Sequence, residues 1–135
     1  MKRSRLLKIM LLLVVTTAFV ACEKNYYTEI DNTDKKLCAN TWTSEYTEDN
    51  VSDKRVLIFH TDGTGQEIQS TTTETETTSH TESRTYTIYW RWLDNNREGL
   101  YINRVGDSSY EIHNVWIRTN YLSGDIDGKH YTFSK

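Results

Sequence analysis

Arg84-Thr-Tyr-Thr-Ile-Tyr-Trp-Arg-Trp-Leu93 decides the fold. Tyr86, Ile88, Trp90 and Trp92 share one face of an extended chain, and Thr85, Thr87, Tyr89, Arg91 and Leu93 take the other. Period-two alternation over aromatic and β-branched residues marks a half-buried strand, whereas a helix would scatter the same rings around its circumference. Toward the C-terminus the pattern recurs. Asp94-Asn-Asn-Arg97 reads as a turn, Gly99-Leu-Tyr-Ile-Asn103 as a short strand and Gly106-Asp107 as a second turn. Ser109 to Ile117 reads as a strand with Tyr110, Ile112 and Trp116 facing together. Tyr121 to Ile126, the hairpin pair Asp127-Gly128, and Lys129 to Ser134 with Tyr131 and Phe133 on one face complete that side.

Toward the N-terminus, Ser70 to Ser83 is nearly all Ser, Thr and Glu. Threonine prefers extended backbone, so the alternation predicts a long, solvent-facing hairpin turning near Ser79-His80, with a low-complexity loop as the alternative. A strand from Gly65, a turn over Thr61-Asp-Gly-Thr64 and a strand over Lys54 to His60 precede it, Gly63 supplying the positive φ. Glu48 to Asp53 is a polar connection, and Thr41 to Thr47 is a strand with Trp42 and Tyr46 on one face. Asp34 to Cys38 forms a helical turn capped by Asn32 or Thr33. About eight successive strands with short connections predict an all-β antiparallel meander, and eight strands can close into a barrel with no exposed edge.

Lys2, Arg3, Arg5 and Lys8 are followed by an apolar run from Ile9 to Val20, which ends in Phe19-Val20-Ala21-Cys22. Such a run suits a signal peptide and falls short of the ~20 residues that span a bilayer. The basic, apolar, small, Cys order resembles the lipobox of bacterial lipoprotein precursors. The resemblance implies a signal peptide over residues 1–21, cleaved before a Cys22 that carries a diacylglycerol thioether. A lipid anchor and tether would occupy 22–36 and the folded domain 37–135. It implies the cell envelope, specifically the outer membrane, with the periplasmic or surface face left open.

The chain from Cys22 to Lys135 carries twelve Lys and Arg against nineteen Asp and Glu. A domain this acidic is a poor nucleic-acid binder and is repelled by anionic headgroups, which suits tethering by a lipid. With Cys22 acylated, Cys38 has no partner for an intrachain disulfide and reads as a small apolar residue.

Leu37-Cys-Ala-Asn-Thr-Trp42, Leu57-Ile-Phe59, Asp62-Gly-Thr64, Tyr110-x-Ile112 and the terminal Tyr131-x-Phe133-x-Lys135 together look like the small lipocalin-like lipoproteins of Bacteroidetes-type bacteria. Asn40 stands where lipocalins carry the Gly of Gly-x-Trp, and Asn tolerates a left-handed turn. The resemblance implies a cup-shaped barrel able to hold an apolar ligand.

The candidate ligand-binding residues are Trp42, Tyr46, Tyr86, Ile88, Trp90, Trp92 and Tyr110, whose rings either line such a cup or fill an ordinary core. No catalytic residue, metal site or cofactor is assigned. Serines lack a Gly-x-Ser-x-Gly setting, and the four histidines sit on separate elements. Glu111 with His113 reads as a solvated face, and Asp125-Ile-Asp-Gly128 as a hairpin rather than a calcium loop. Two functions follow as expectations. One is a non-enzymatic, membrane-anchored module that binds a small apolar ligand. The other is an accessory lipoprotein whose solid barrel docks an envelope protein partner, through its outer surface or the Thr/Glu-rich hairpin.

Overall fold

The alternation does close on itself. In a computed structural model, which describes residues 31–135, eight antiparallel strands follow one another round a closed barrel. They are β1 (Thr41–Glu48), β2 (Val51–Phe59), β3 (Thr64–Glu74), β4 (Ser79–Trp92), β5 (Leu100–Arg104), β6 (Tyr110–Ile117), β7 (Tyr121–Ile126) and β8 (Lys129–Ser134). Each pairs with its sequence neighbours, and the Thr43–Ser134 bridge between β1 and β8 completes the ring. This is the all-β meander barrel that the alternation predicts, and it is consistent with a lipocalin-like architecture.

The turns form where their chemistry allows. Gly63, Gly106 and Gly128 have positive φ, and Asp127 at φ 51° joins Gly128 in the β7–β8 hairpin. In the β2–β3 turn the Asp62 carboxylate accepts from Thr64 Oγ1 at 2.6 Å and Thr64 N at 3.0 Å. Those two bonds hold the Asp62 carboxyl below the ordinary carboxylate range. Ser70 to Ser83 is indeed a hairpin, but it turns at Thr75–Thr78 rather than at Ser79-His80. Thr75 and Thr78 close it by mutual backbone and hydroxyl bonds, and rows of facing hydroxyls (Ser70–Ser83, Thr72–Thr81) extend the pairing below. Threonine serves both roles, so composition alone does not mark where the chain reverses.

Two expectations about orientation are corrected. Trp116 does not face inward with Tyr110 and Ile112. A bulge between His113 and Trp116, with Asn114 at φ 53°, advances the phase by one residue. Val115 is buried instead, and Trp116 lies half exposed under the Arg118 guanidinium, 3.9 Å from its ring. Asn40 does not occupy the left-handed region either. Helix α1 (Asp34–Cys38) ends on Ala39 in right-handed geometry, and the chain enters β1 without the glycine-type turn.

The helix caps one end of the barrel. Thr33 is its N-cap, accepting from Lys36 N at 3.1 Å. Leu37 is fully buried, and its carbonyl accepts from Trp42 Nε1 at 2.8 Å. Asn32 is also buried. Its amide donates to the carbonyls of Arg97 (2.6 Å) and Val115 (2.8 Å), and its oxygen accepts from Ile117 N at 3.1 Å. Asn32 to Lys36, which the sequence assigns to the tether, therefore belong to the compact unit Asn32–Lys135. Polar composition suggests a linker, but here a polar side chain satisfies three backbone groups of the folded domain. The signal segment, Cys22 and the first part of the tether lie outside the described residues.

Candidate functional site

Along each strand the inward phase changes chemistry partway up the barrel. On β2 it runs Phe59, Leu57, Arg55, Asp53, and on β3 Gly65, Glu67, Gln69, Thr71. On β4 it runs Trp92, Trp90, Ile88, Tyr86, Arg84, and on β5 Leu100, Ile102, Arg104. Register aligns these switches, since Arg55 faces Gln69, Gln69 faces Arg84, and Ile88 faces Arg104. The barrel is thus apolar toward α1 and polar toward the opposite mouth.

The apolar half is filled. Trp42, Leu57, Ile88, Leu100, Ile102, Ile112, Ile117, Leu122 and Phe133 are all fully buried. Trp90 meets Phe59 edge-on at 5.9 Å and Trp92 edge-on at 6.1 Å. Each indole N–H finds an acceptor at this end: Trp42 on Leu37, Trp90 on the His60 carbonyl at 2.9 Å, and Trp92 on Asp34 Oδ1 at 2.6 Å. Cys38 packs against this core, and burial, then the Asp34 and Asp62 carboxylates, push its thiol above the ordinary range. A thiol held protonated in this way is a poor nucleophile.

The middle layer is a buried charge cluster. The Glu67 side chain is wholly excluded from solvent. It accepts a short hydrogen bond from the Tyr110 hydroxyl and one from Gln69 Nε2 at 3.1 Å, and Arg104 Nη1 stands 3.6 Å away. Burial, then Glu67, raise the Tyr110 phenol far above its ordinary pKa, so it stays a donor. Arg104 also lies over the Tyr86 and Tyr110 rings, at 5.2 and 5.0 Å.

Above this layer opens a cavity of about 280 Å³, reached from the mouth. Arg55 and Tyr131 stand at its base, Tyr46 and Lys129 on one wall, and Asp53 and Thr71 on another. The Arg55 guanidinium is held between the Tyr110 and Tyr131 rings, 5.5 Å from each. Lys129 Nζ lies 4.6 Å from the Tyr46 ring and 5.4 Å from that of Tyr131. Asp53 accepts from Thr71 Oγ1 at 2.7 Å.

The seven sequence-predicted residues are therefore spread over the height of the barrel. Trp42, Ile88 and Trp90 are in the filled half, and Trp92 is against α1. Tyr86 and Tyr110 sit in the charge cluster, and Tyr46 alone of the seven lines the mouth cavity. Arg55, Glu67, Gln69, Arg104, Lys129 and Tyr131 were not among the predicted set. Their signal was present in the phase. Arg55 alternates with Leu57 and Phe59, and Arg104 with Leu100 and Ile102, so each charge points where its strand points its core residues.

On the outer face, His113 pairs with Glu111 at 2.9 Å and His130 with Asp125 at 2.8 Å. Among the described residues no group of three or more His, Cys, Asp or Glu side chains converges as a metal site. No helix among them is long and apolar enough to cross a membrane. No family model, curated protein or solved structure matches this chain. The class that fold and site define is a closed antiparallel meander barrel, solid at one end and polar at its mouth.

Proposed function

We propose that this protein is a lipid-anchored envelope lipoprotein whose barrel is a non-enzymatic binding module for one small, polar ligand. The observation that carries the reading is the mouth cavity, an opening with a charged base above a filled apolar half. Its volume, about 280 Å³, lies just under the ~300–1,000 Å³ of pockets that take drug-sized molecules. A long acyl chain, sterol or haem would have to displace Trp42, Ile88 and Trp90 from the filled half, so the apolar ligand expected from the aromatic face gives way to a smaller, polar one.

Anchoring rests on the order of basic residues, apolar run and Cys22. A Cys22→Ser variant is expected to lose incorporation of a fatty-acid analogue and to leave the membrane fraction. Unchanged labelling defeats that part of the reading. Binding is tested by native mass spectrometry of the protein purified from its own envelope, and by amide chemical shifts of Tyr46, Arg55 and Tyr131 during ligand titrations. If no small molecule moves those signals, the binding reading fails. The accessory role then takes its place, with the β3–β4 hairpin docking an envelope protein. The observation behind that alternative is an open edge: among the described residues, Ser79–Tyr86 of β4 pair with β3 alone.

A further inference from the structure

Among the described residues, Arg55 carries the one buried side-chain donor that finds no acceptor. The neighbouring cation, Arg104, has two carboxylates within 4.0 Å, Glu67 and Asp107, and donates through Nε to the Ser108 carbonyl at 2.9 Å. Among the described residues Arg55 has no carboxylate within that distance, and its Nη1 is out of reach of solvent and donates to nothing. Its guanidinium lies against two tyrosine faces. A guanidinium without a counter-charge in partly dry surroundings is costly, and proteins normally place an acid beside it.

The cavity above it has the charge to recruit such an acid. Lys54, Arg55 and Lys129 line it against a single carboxylate, Asp53. Residues 31–135 as a whole carry eleven Lys and Arg against seventeen Asp and Glu. A local positive field in an acidic domain selects for an anion at that spot, not for anions in general. Nη1 is out of reach of solvent, so the donors left for a guest are Nε and Nη2, a parallel pair whose fork matches a carboxylate. Asp53 faces the same space and disfavours a second negative charge on the guest. Tyr46 and Tyr131 offer ring faces to whatever body the acid carries.

We infer that the mouth of the barrel is a binding site for a small monocarboxylate, with Arg55 as its anchor and Lys129 as the second cation. This deepens the reading of the mouth as a ligand site and rests on it.

The test uses the full chain in detergent micelles. Acetate, lactate and benzoate are each titrated against the matching amide (acetamide, lactamide, benzamide) at low ionic strength, followed by calorimetry and by the Tyr46, Arg55 and Tyr131 signals. The expected result is that at least one acid binds tenfold or more tightly than its amide, and that the preference shrinks as salt is added. Arg55→Gln removes the preference and Lys129→Gln lowers affinity several-fold, while both keep the wild-type amide spectrum away from the mouth. Should Arg55→Gln fail to fold, Arg55→Lys decides. It retains the charge but not the fork, so affinity falls while some preference for acid over amide persists. Amides that bind as well as their acids, or an Arg55 variant that binds the acid at wild-type strength, overturn the inference and leave the ligand site standing. If none of the six compounds moves the mouth signals, both the inference and the ligand site fall.

Discussion

The two halves of this barrel share strands, alternation and register, yet solve opposite problems. Below, the inward phase is Trp42, Leu57, Ile88, Leu100 and their neighbours, and stability comes from apolar surface removed from water at ~25 cal/mol per Å². Above, the same phase delivers Arg55, Glu67, Tyr86, Arg104 and Tyr110, and there burial is a cost that pairing offsets for Glu67, Arg104 and Tyr110. One backbone can therefore hold a rigid floor and a polar chamber, because inward orientation depends on residue parity and not on hydrophobicity. The lower half tolerates no vacancy, whereas the upper half keeps a chamber open and, among the described residues, leaves the Arg55 Nη1 without an acceptor.

The sharpest way to break the contrast is to remove the floor. Trp42→Ala is expected to destabilise the domain by ~3–5 kcal/mol, read as a lower urea midpoint at unchanged slope, since it opens a cavity and frees the helix carbonyl on Leu37. Trp90→Ala should fall in the same range. A loss under about 1 kcal/mol for either would mean that the lower half is not packed as described.

In the charge cluster, Arg104→Met leaves Glu67 buried beside Tyr110 without a cation. Breaking a buried pair typically costs 3–5 kcal/mol, and the slight exposure of Arg104 places this one near 3 kcal/mol. The double variant Glu67→Met with Arg104→Met should recover most of that loss, because the buried charge has gone as well. If the double variant is worse than the single one, the cluster is held by something other than pairing.

Tyr110→Phe removes a donor to a charged acceptor, worth ~1.5–3 kcal/mol. It also carries a pH signature. Tyr110 keeps its proton in the fold far above its ordinary range, because of burial first and Glu67 second, whereas the unfolded chain releases it near 10. The stabilisation is thus complete below a pH of about 10 and is lost as the pH climbs beyond it. Urea midpoints at pH about 9 and about 11 should show a drop in the wild type that is smaller in Tyr110→Phe.

Smaller still, Arg55→Met should leave the midpoint unchanged or raise it by up to ~1 kcal/mol, as expected when a charge kept for a ligand is removed. A clear loss of stability would assign Arg55 to the scaffold. At the far tip, Thr81→Ala trims one hydroxyl pair with Thr72 on an exposed strand and should stay within ~0.5 kcal/mol.

The strands were legible because alternation, Gly turns and Asp127-Gly128 are local signals. The Asp62–Thr64 turn and the Lys129–Ser134 strand fall where those signals place them. The bulge at Asn114 was not legible, since nothing before it breaks the alternation that carries Tyr110 and Ile112. Nor was the role of Asn32, whose three bonds reach residues 65 to 85 positions away. The site was half written in the chain. Aromatic residues drew attention to the inward phase, but the chemistry that distinguishes mouth from floor rests on the charges sharing that phase. Their partners, Glu67 with Tyr110 and Arg104, come together only across strands.

Asn32 has a mechanical consequence. When a load enters at this residue, two of its three bonds pass their share to β6, at Val115 and Ile117. Those points belong to the solid end, where close packing spreads strain through Trp42, Leu122 and Phe133. The force path enters and dissipates there without crossing the chamber that Arg55 and Lys129 line. A load entering at Asn32 would strain the floor of this barrel and leave the shape of its mouth at rest.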